Sequence, residues 1–147
     1  MAGIGGLVIP SPAASTRADE LWRHTCFEAF LRPSPGEAYV EFNFSPSTQW
    51  AAYRFSGVRS GRRNTVEIGA PSIELRRNAE CFELRVHLKL EGLPDFPGDS
   101  AWRLGLSAVV EEAGGRQSYW ALAHPPGKAD FHHSDCFALE LPAAWQV

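Results

Sequence analysis

Long apolar runs are missing from this chain, and so are the short motifs that mark well-specified enzymes. No stretch reaches the roughly 18 apolar residues that a membrane-spanning helix needs, so no such span and no membrane partner is expected. The start, MAGIGGLVIPSPAAS, has an apolar run before small residues but no basic region ahead of it. That argues against a secretory signal and for a cytoplasmic protein. No P-loop, GxGxxG, GxSxG or HExxH pattern occurs, which removes the corresponding phosphate-binding, dinucleotide, hydrolase and zinc-protease chemistries. Cysteine is scarce: Cys26, Cys81 and Cys136 are widely spaced, with neither CxxC nor a Cys/His zinc pattern. Neither a disulfide framework nor a zinc site is expected, and each reads as a small apolar strand residue. A basic excess is lacking too. The net charge of -3 argues against a nucleic-acid partner, and the cluster Arg59, Arg62 and Arg63 reads as a solvated loop.

What is present is strand pattern and turn chemistry. A chain of 147 residues with 44% hydrophobic and 12% aromatic residues suits a single globular domain, here residues 1–147. From Cys81 to Leu90, Phe82, Leu84, Val86, Leu88 and Leu90 face one way while Glu83, Arg85, His87 and Lys89 face the other. This is a strand with one wet face. Val40, Phe42 and Phe44 alternate with Glu41 and Asn43 in the same manner. Further strands are predicted at Leu7–Ile9, Thr25–Leu31, Trp50–Phe55, Val66–Gly69, Ile73–Arg76, Trp102–Glu111, Ser118–Ala123 and Cys136–Leu141. Eleven prolines and 13 glycines leave little room for long helices. The best helical stretch is a short turn at Ala18–Arg23, with Asp19 near its start. The expected fold is an all-β antiparallel sandwich.

The segment from Leu21 to Phe55 carries the chemistry most densely. Glu28, Glu41, Asn43 and Arg54 sit among Phe27, Phe30, Phe42, Phe44, Tyr53 and Phe55. Half-buried polar groups must find partners, so this segment is expected to build a polar site on a sheet. His24 and Cys26 share a strand face, but no third group orients a base there, so no catalytic residue is assigned. A second cluster runs from His124 to Asp135. His124, Asp130, His132 and Asp135 are weak candidate metal ligands, although adjacent histidines on extended chain point to opposite sides. The competing reading is a loop held by its own hydrogen bonds. The tryptophans Trp22, Trp50, Trp102, Trp120 and Trp145 either fill the core or offer an indole face for a sugar ring.

Taken together, Trp22-Arg-His-Thr-Cys26-Phe-Glu28-Ala-Phe30, Glu41-Phe-Asn43-Phe-Ser45-Pro46-Ser47, Trp50-Ala-Ala-Tyr53, and Tyr119-Trp-Ala-Leu-Ala-His124-Pro with Asp130-Phe-His132-His133 resemble bacterial DOMON-like domain proteins. These are relatives of the family-nine carbohydrate-binding modules. The resemblance covers nearly all of the chain. It implies a β-sandwich that binds a sugar or haem, with stacking roles for Trp22 or Trp120. It also implies further residues ahead of Leu7–Pro10, so the fold is expected to lack its first strands. That would leave an N-terminal edge open to a partner or to self-association. Around Val58 and Arg62 the sequence departs from the family pattern.

The reading expected from these observations is a non-catalytic module for a small-molecule or saccharide ligand, with no cofactor. Its expected ligand-binding residues are Trp22, Glu28, Glu41, Asn43, Trp50, Arg54, Trp120, His124 and His132. The alternative is a haem-binding electron-transfer domain. Such domains often pair a Met with a His, and Met1 is the one methionine here, which weighs against that pairing. A histidine pair from His24, His87, His124, His132 and His133 remains. A third reading is a metal-dependent enzyme centred on His124, Asp130, His132 and Asp135.

Overall fold

The computed structural model describes residues 3–93 and 99–143. It is all-β, as the turn-rich sequence dictates. The strands are β1 (Cys26–Pro33), β2 (Tyr39–Phe44), β3 (Trp50–Phe55), β4 (Arg63–Asn64), β5 (Ser72–Arg77), β6 (Phe82–His87), β7 (Trp102–Glu111), β8 (Gln117–Ala121) and β9 (Leu139–Leu141). A seven-stranded antiparallel sheet runs β4-β3-β2-β1-β7-β8, with β9 also pairing β7. The hairpin β5–β6 forms a second, two-stranded sheet. Their packing gives a lopsided sandwich.

Strand alternation divides the large sheet into two faces. On the inner face Leu31, Val40, Phe42, Phe44, Trp50, Ala52 and Trp102 form a core with Ile73, Leu84 and Val86 of the hairpin. The Phe27 and Phe82 rings stack across the two sheets at 6.4 Å. The alternation of Phe82, Leu84 and Val86 therefore has its expected outcome: each is half-buried and its polar neighbours are exposed. The hairpin does not cover the whole inner face, and Leu106, Trp120 and Leu122 remain exposed beyond it.

The outer face carries Cys26, Glu28, Phe30, Tyr39, Glu41, Asn43, Tyr53 and Phe55. It is covered by chain without regular strands. Leu21 and Trp22, in a short 3-10 turn, and Phe131 and Phe137, in the loop before β9, pack on Phe30, Tyr39, Tyr53 and Phe55. Gly105 of β7 allows this loop to lie flat on the sheet, since a Cβ there would stand 2.8 Å from the Cys136 carbonyl oxygen. Strand β2 is consequently buried along its whole length.

Four sequence expectations are corrected. Leu7–Ile9 is no strand: Leu7 makes one bridge to Glu112, and the segment then crosses the end of the sheet to bridge Arg17 to Trp50. Val66–Gly69 is a loop, although Ile68 is buried in the core. Cys136 opens no strand but closes a 3-10 turn, Ser134–Cys136, and β9 begins only at Leu139. The turn expected at Ala18–Arg23 shortens to Leu21–Arg23, preceded by Glu20 rather than Asp19. Among the described residues no helix is long and apolar enough to cross a membrane.

Candidate functional site

The outer face holds a cavity of about 810 Å³. The size suits a small-molecule ligand. Its floor is the sheet itself. Pairing of β1 with β2 sets Glu28 opposite Asn43 and Phe30 opposite Glu41, so both carboxyls lie on this face, diagonal to one another across the strand pair. Ser107 of β7 faces Glu28 from the other side and donates its hydroxyl at 3.3 Å. The walls are Trp22, Phe55, Tyr119 and Phe131, with Gln117 of β8 and the arginines Arg23, Arg59 and Arg62.

The floor is electrostatically unusual. Glu28 and Glu41 are only 6% and 5% exposed. Burial, with Glu41 nearby, pushes the Glu28 carboxyl up to about 8, so at neutral pH it is mostly a neutral acid. Burial raises Glu41 as well, while Asn43, Arg62 and Arg59 favour its charged form. The Asn43 amide is thus close enough to act on Glu41. Yet neither amide atom has a hydrogen-bond partner of good geometry among the described residues.

His132 joins floor and wall. Its Nε2 is 3.6 Å from the Glu41 carboxylate and its Nδ1 is 2.6 Å from the Tyr39 phenol. Burial, followed by the Arg59 charge, lowers the imidazole to about 4, so it is neutral at pH 7. The Tyr39 oxygen accepts the Arg59 backbone N–H at 3.1 Å. With the phenol donating to Nδ1, the ring proton sits on Nε2, toward Glu41. Asp130 accepts from the His132 backbone N–H at 3.1 Å and from the Arg59 guanidinium at 2.8 Å. Burial alone would raise the Asp130 carboxyl, but the Arg59 contact holds it below its usual range.

Trp22, Glu28, Glu41 and His132 therefore meet in one cavity, and Asn43 lies on the same face beside Glu41. The other expected site residues do not join them. Phe44 pairs with Trp50 and Val40 with Arg54, which fixes Trp50 and Arg54 on the opposite, core-side face. Trp50 is 3% exposed, inside the apolar cluster, with the Arg17 guanidinium 4.3 Å from its ring centre. Trp120 pairs with Ala108, also on the inner face, and half its surface is exposed away from the cavity. His124 is exposed, tilted against Phe131 at 6.1 Å. Trp145 falls outside the described residues.

The metal candidates are also dispersed. Asp130 bonds Arg59, and Asp135 lies 3.6 Å from His133 rather than from His132. Among the described residues no group of three or more His, Cys, Asp or Glu side chains could hold a metal ion. Of the five histidines only His132 lines the cavity, so no histidine pair faces a haem there. His24 is exposed and bonded to Glu111 at 2.8 Å. The Cys26 thiol itself is raised well above its usual value by burial and by Glu28, which keeps it protonated.

Sequence reasoning missed Tyr39, Arg59, Arg62, Gln117 and Tyr119. The arginines read as solvated loop. Tyr119 was detectable in principle, because it precedes Trp120 and so must face the other way. No protein-family model, curated protein or solved structure matches this chain.

Proposed function

We propose that the outer-face cavity binds a saccharide or a sugar-like metabolite. The observation that carries this reading is the meeting of an aromatic wall, Trp22 and Tyr119, with a floor of two buried carboxyls, Glu28 and Glu41. A sugar ring has apolar C–H faces that stack on an indole or phenol, and hydroxyls that need both donors and acceptors. The floor offers both. A neutral Glu28 donates and accepts, the Glu41 carboxyl adds acceptor oxygens, and Gln117 adds an amide at the wall. The motif resemblance to DOMON-like proteins and the family-nine carbohydrate-binding modules supports the same class of ligand. The role is binding, with no reaction assigned.

Isothermal titration against a panel of soluble mono- and disaccharides tests it. A saturable heat with at least one sugar, lost in Trp22→Ala and in Glu41→Gln, is the expected outcome. Absence of binding across the panel at millimolar sugar would overturn the reading.

A further inference from the structure

Resting on that reading, we infer that the ligand is an anionic sugar, one whose ring sits on the carboxyl floor while a phosphate or carboxylate group is taken by Arg62 and Arg59 at the mouth.

The charge distribution of the cavity carries the inference. Three arginines and two carboxylic acids surround it. The acids are buried and the arginines exposed, so the acids form the floor and the guanidiniums the rim. Arg59 and Arg23 each have a carboxylate, Asp130 at 2.8 Å and Glu20 at 2.9 Å. Arg62 has none among the described residues. Its guanidinium instead lies over aromatic rings, 4.8 Å from the Tyr53 centre and 6.0 Å from that of Trp22. A cation held over ring faces is aimed but not neutralised, and its hydrogen-bond donors stay available to an oxyanion. The proton retained by Glu28 leaves the rim charge less balanced from the floor.

The backbone is shaped to deliver these two side chains. Ser56 and Ser60 close a tight reversal through the Gly57–Ser60 bridge. Arg59 sits at φ 53 and Gly61 at φ 66, both left-handed. A Cβ at Gly61 would collide with the Ser56 hydroxyl. The Arg59 amide is then pinned to the Tyr39 phenol, which ties the rim to the floor. Strain of this kind at a non-glycine residue persists where the surroundings fix it, and it commonly marks ligand clamps. The fork of a guanidinium matches the paired oxygens of phosphate and carboxylate alike.

The test is calorimetric titration of the full chain with glucose, galactose and mannose, each as free sugar, phosphate monoester and uronate. For the sugar that fits, an anionic form is expected to bind at least about tenfold more tightly than its neutral parent, the worth of one charge-assisted contact. Comparing phosphate with uronate identifies the anion. In Arg62→Gln the ratio of anionic to neutral affinity should fall to near unity, with an unchanged thermal melt showing that the variant is folded. Arg59→Gln should give a smaller loss, because Asp130 shares that guanidinium. The anionic advantage should shrink with added salt. Equal binding of neutral and anionic forms overturns this inference and leaves the sugar reading standing. Loss of neutral and anionic binding together in Arg62→Gln overturns it in favour of a purely structural arginine. Failure of every sugar overturns both.

Discussion

The phenol of Tyr39 and the imidazole of His132 lie 2.6 Å apart although 93 residues separate them in the chain. This contact joins β2 to the loop that roofs the outer face, and through the Arg59 amide it reaches the cavity mouth. Tyr39→Phe leaves the shape in place but removes the hydroxyl that pairs with the part-buried His132 Nδ1. It is expected to cost about 1–3 kcal/mol in denaturant unfolding. Combined with His132→Ala the losses should fall short of additivity by more than about 0.5 kcal/mol. Strict additivity would show that the pair does not act as a unit.

Glu28 and His132, shifted in opposite directions, give a pH profile with a definite sign. Glu28 rises from 4.5 to about 8 on folding, so its contribution is complete at low pH and is lost as pH climbs through 8. His132 falls from 6.5 to about 4, so its contribution is complete above 6.5 and is lost as pH drops toward 4. Between pH 4.5 and 6.5 the two slopes oppose each other. Above 6.5 Glu28 acts with only Glu41, itself raised, beside it. Stability should therefore decline from pH 6.5 to 8 by about 1.4 kcal/mol per unit for one proton. Glu28→Gln, which imitates the neutral acid, should flatten most of that decline. An unchanged slope in the variant would show that Glu28 is not the group titrating.

Three tryptophans from the same sequence pattern should behave differently on truncation. Trp50→Ala opens a hole in the apolar layer and is expected to destabilise by about 3–5 kcal/mol. Trp120→Ala, at a half-exposed site off the cavity, should change thermal stability and sugar binding little, within about 0.5 kcal/mol. Trp22→Ala should abolish binding with a smaller effect on folding. Thermal melts and titrations on the three variants distinguish these outcomes, and a binding loss in Trp120→Ala would contradict the assignment of faces.

Gly61→Ala tests the geometry of the rim. A left-handed alanine facing the Ser56 hydroxyl should cost about 1–3 kcal/mol or reshape the turn. Either way the position of Arg62 is lost, and ligand affinity should fall even though no ligand-contacting side chain is altered. Gly61→Asn, which tolerates a positive φ better, should lose less. Equal, wild-type affinity in both variants would mean that the turn does not set the rim.

Much of this architecture was legible in the chain, and the errors share one cause. The alternations Phe82–Leu84–Val86 and Val40–Phe42–Phe44 need only a period of 2 to be assigned to faces, and both take their places in the core. Glu41 and Asn43 follow by parity. Arg54 and Trp50 go wrong because their face depends on how β2 and β3 are joined. The turn Ser45–Gln49, closed by Ser45 N–H on the Gln49 carbonyl and with Thr48 at φ 74, sets Phe44 against Trp50. A slip of one residue would have turned Arg54 into the site. Arg59 and Arg62 were hidden for a related reason. Their usefulness comes from two left-handed residues in a six-residue reversal, and charge in a polar loop carries no sign of where that loop folds back.

Strand β2 has a consequence for how this molecule could be altered. Tyr39 to Phe44 is enclosed on both sides, with Val40, Phe42 and Phe44 in the apolar layer and Tyr39, Glu41 and Asn43 on the cavity side. Losing or gaining one residue inside this strand would exchange the two sets at once, driving carboxyl and amide into the oil while wetting three apolar side chains. Substitution along β2 is therefore separable into folding and recognition, but a change of reading frame within it is not. Residues 56–62 and 124–130 border the cavity from outside the strands, so a change there reassigns no face.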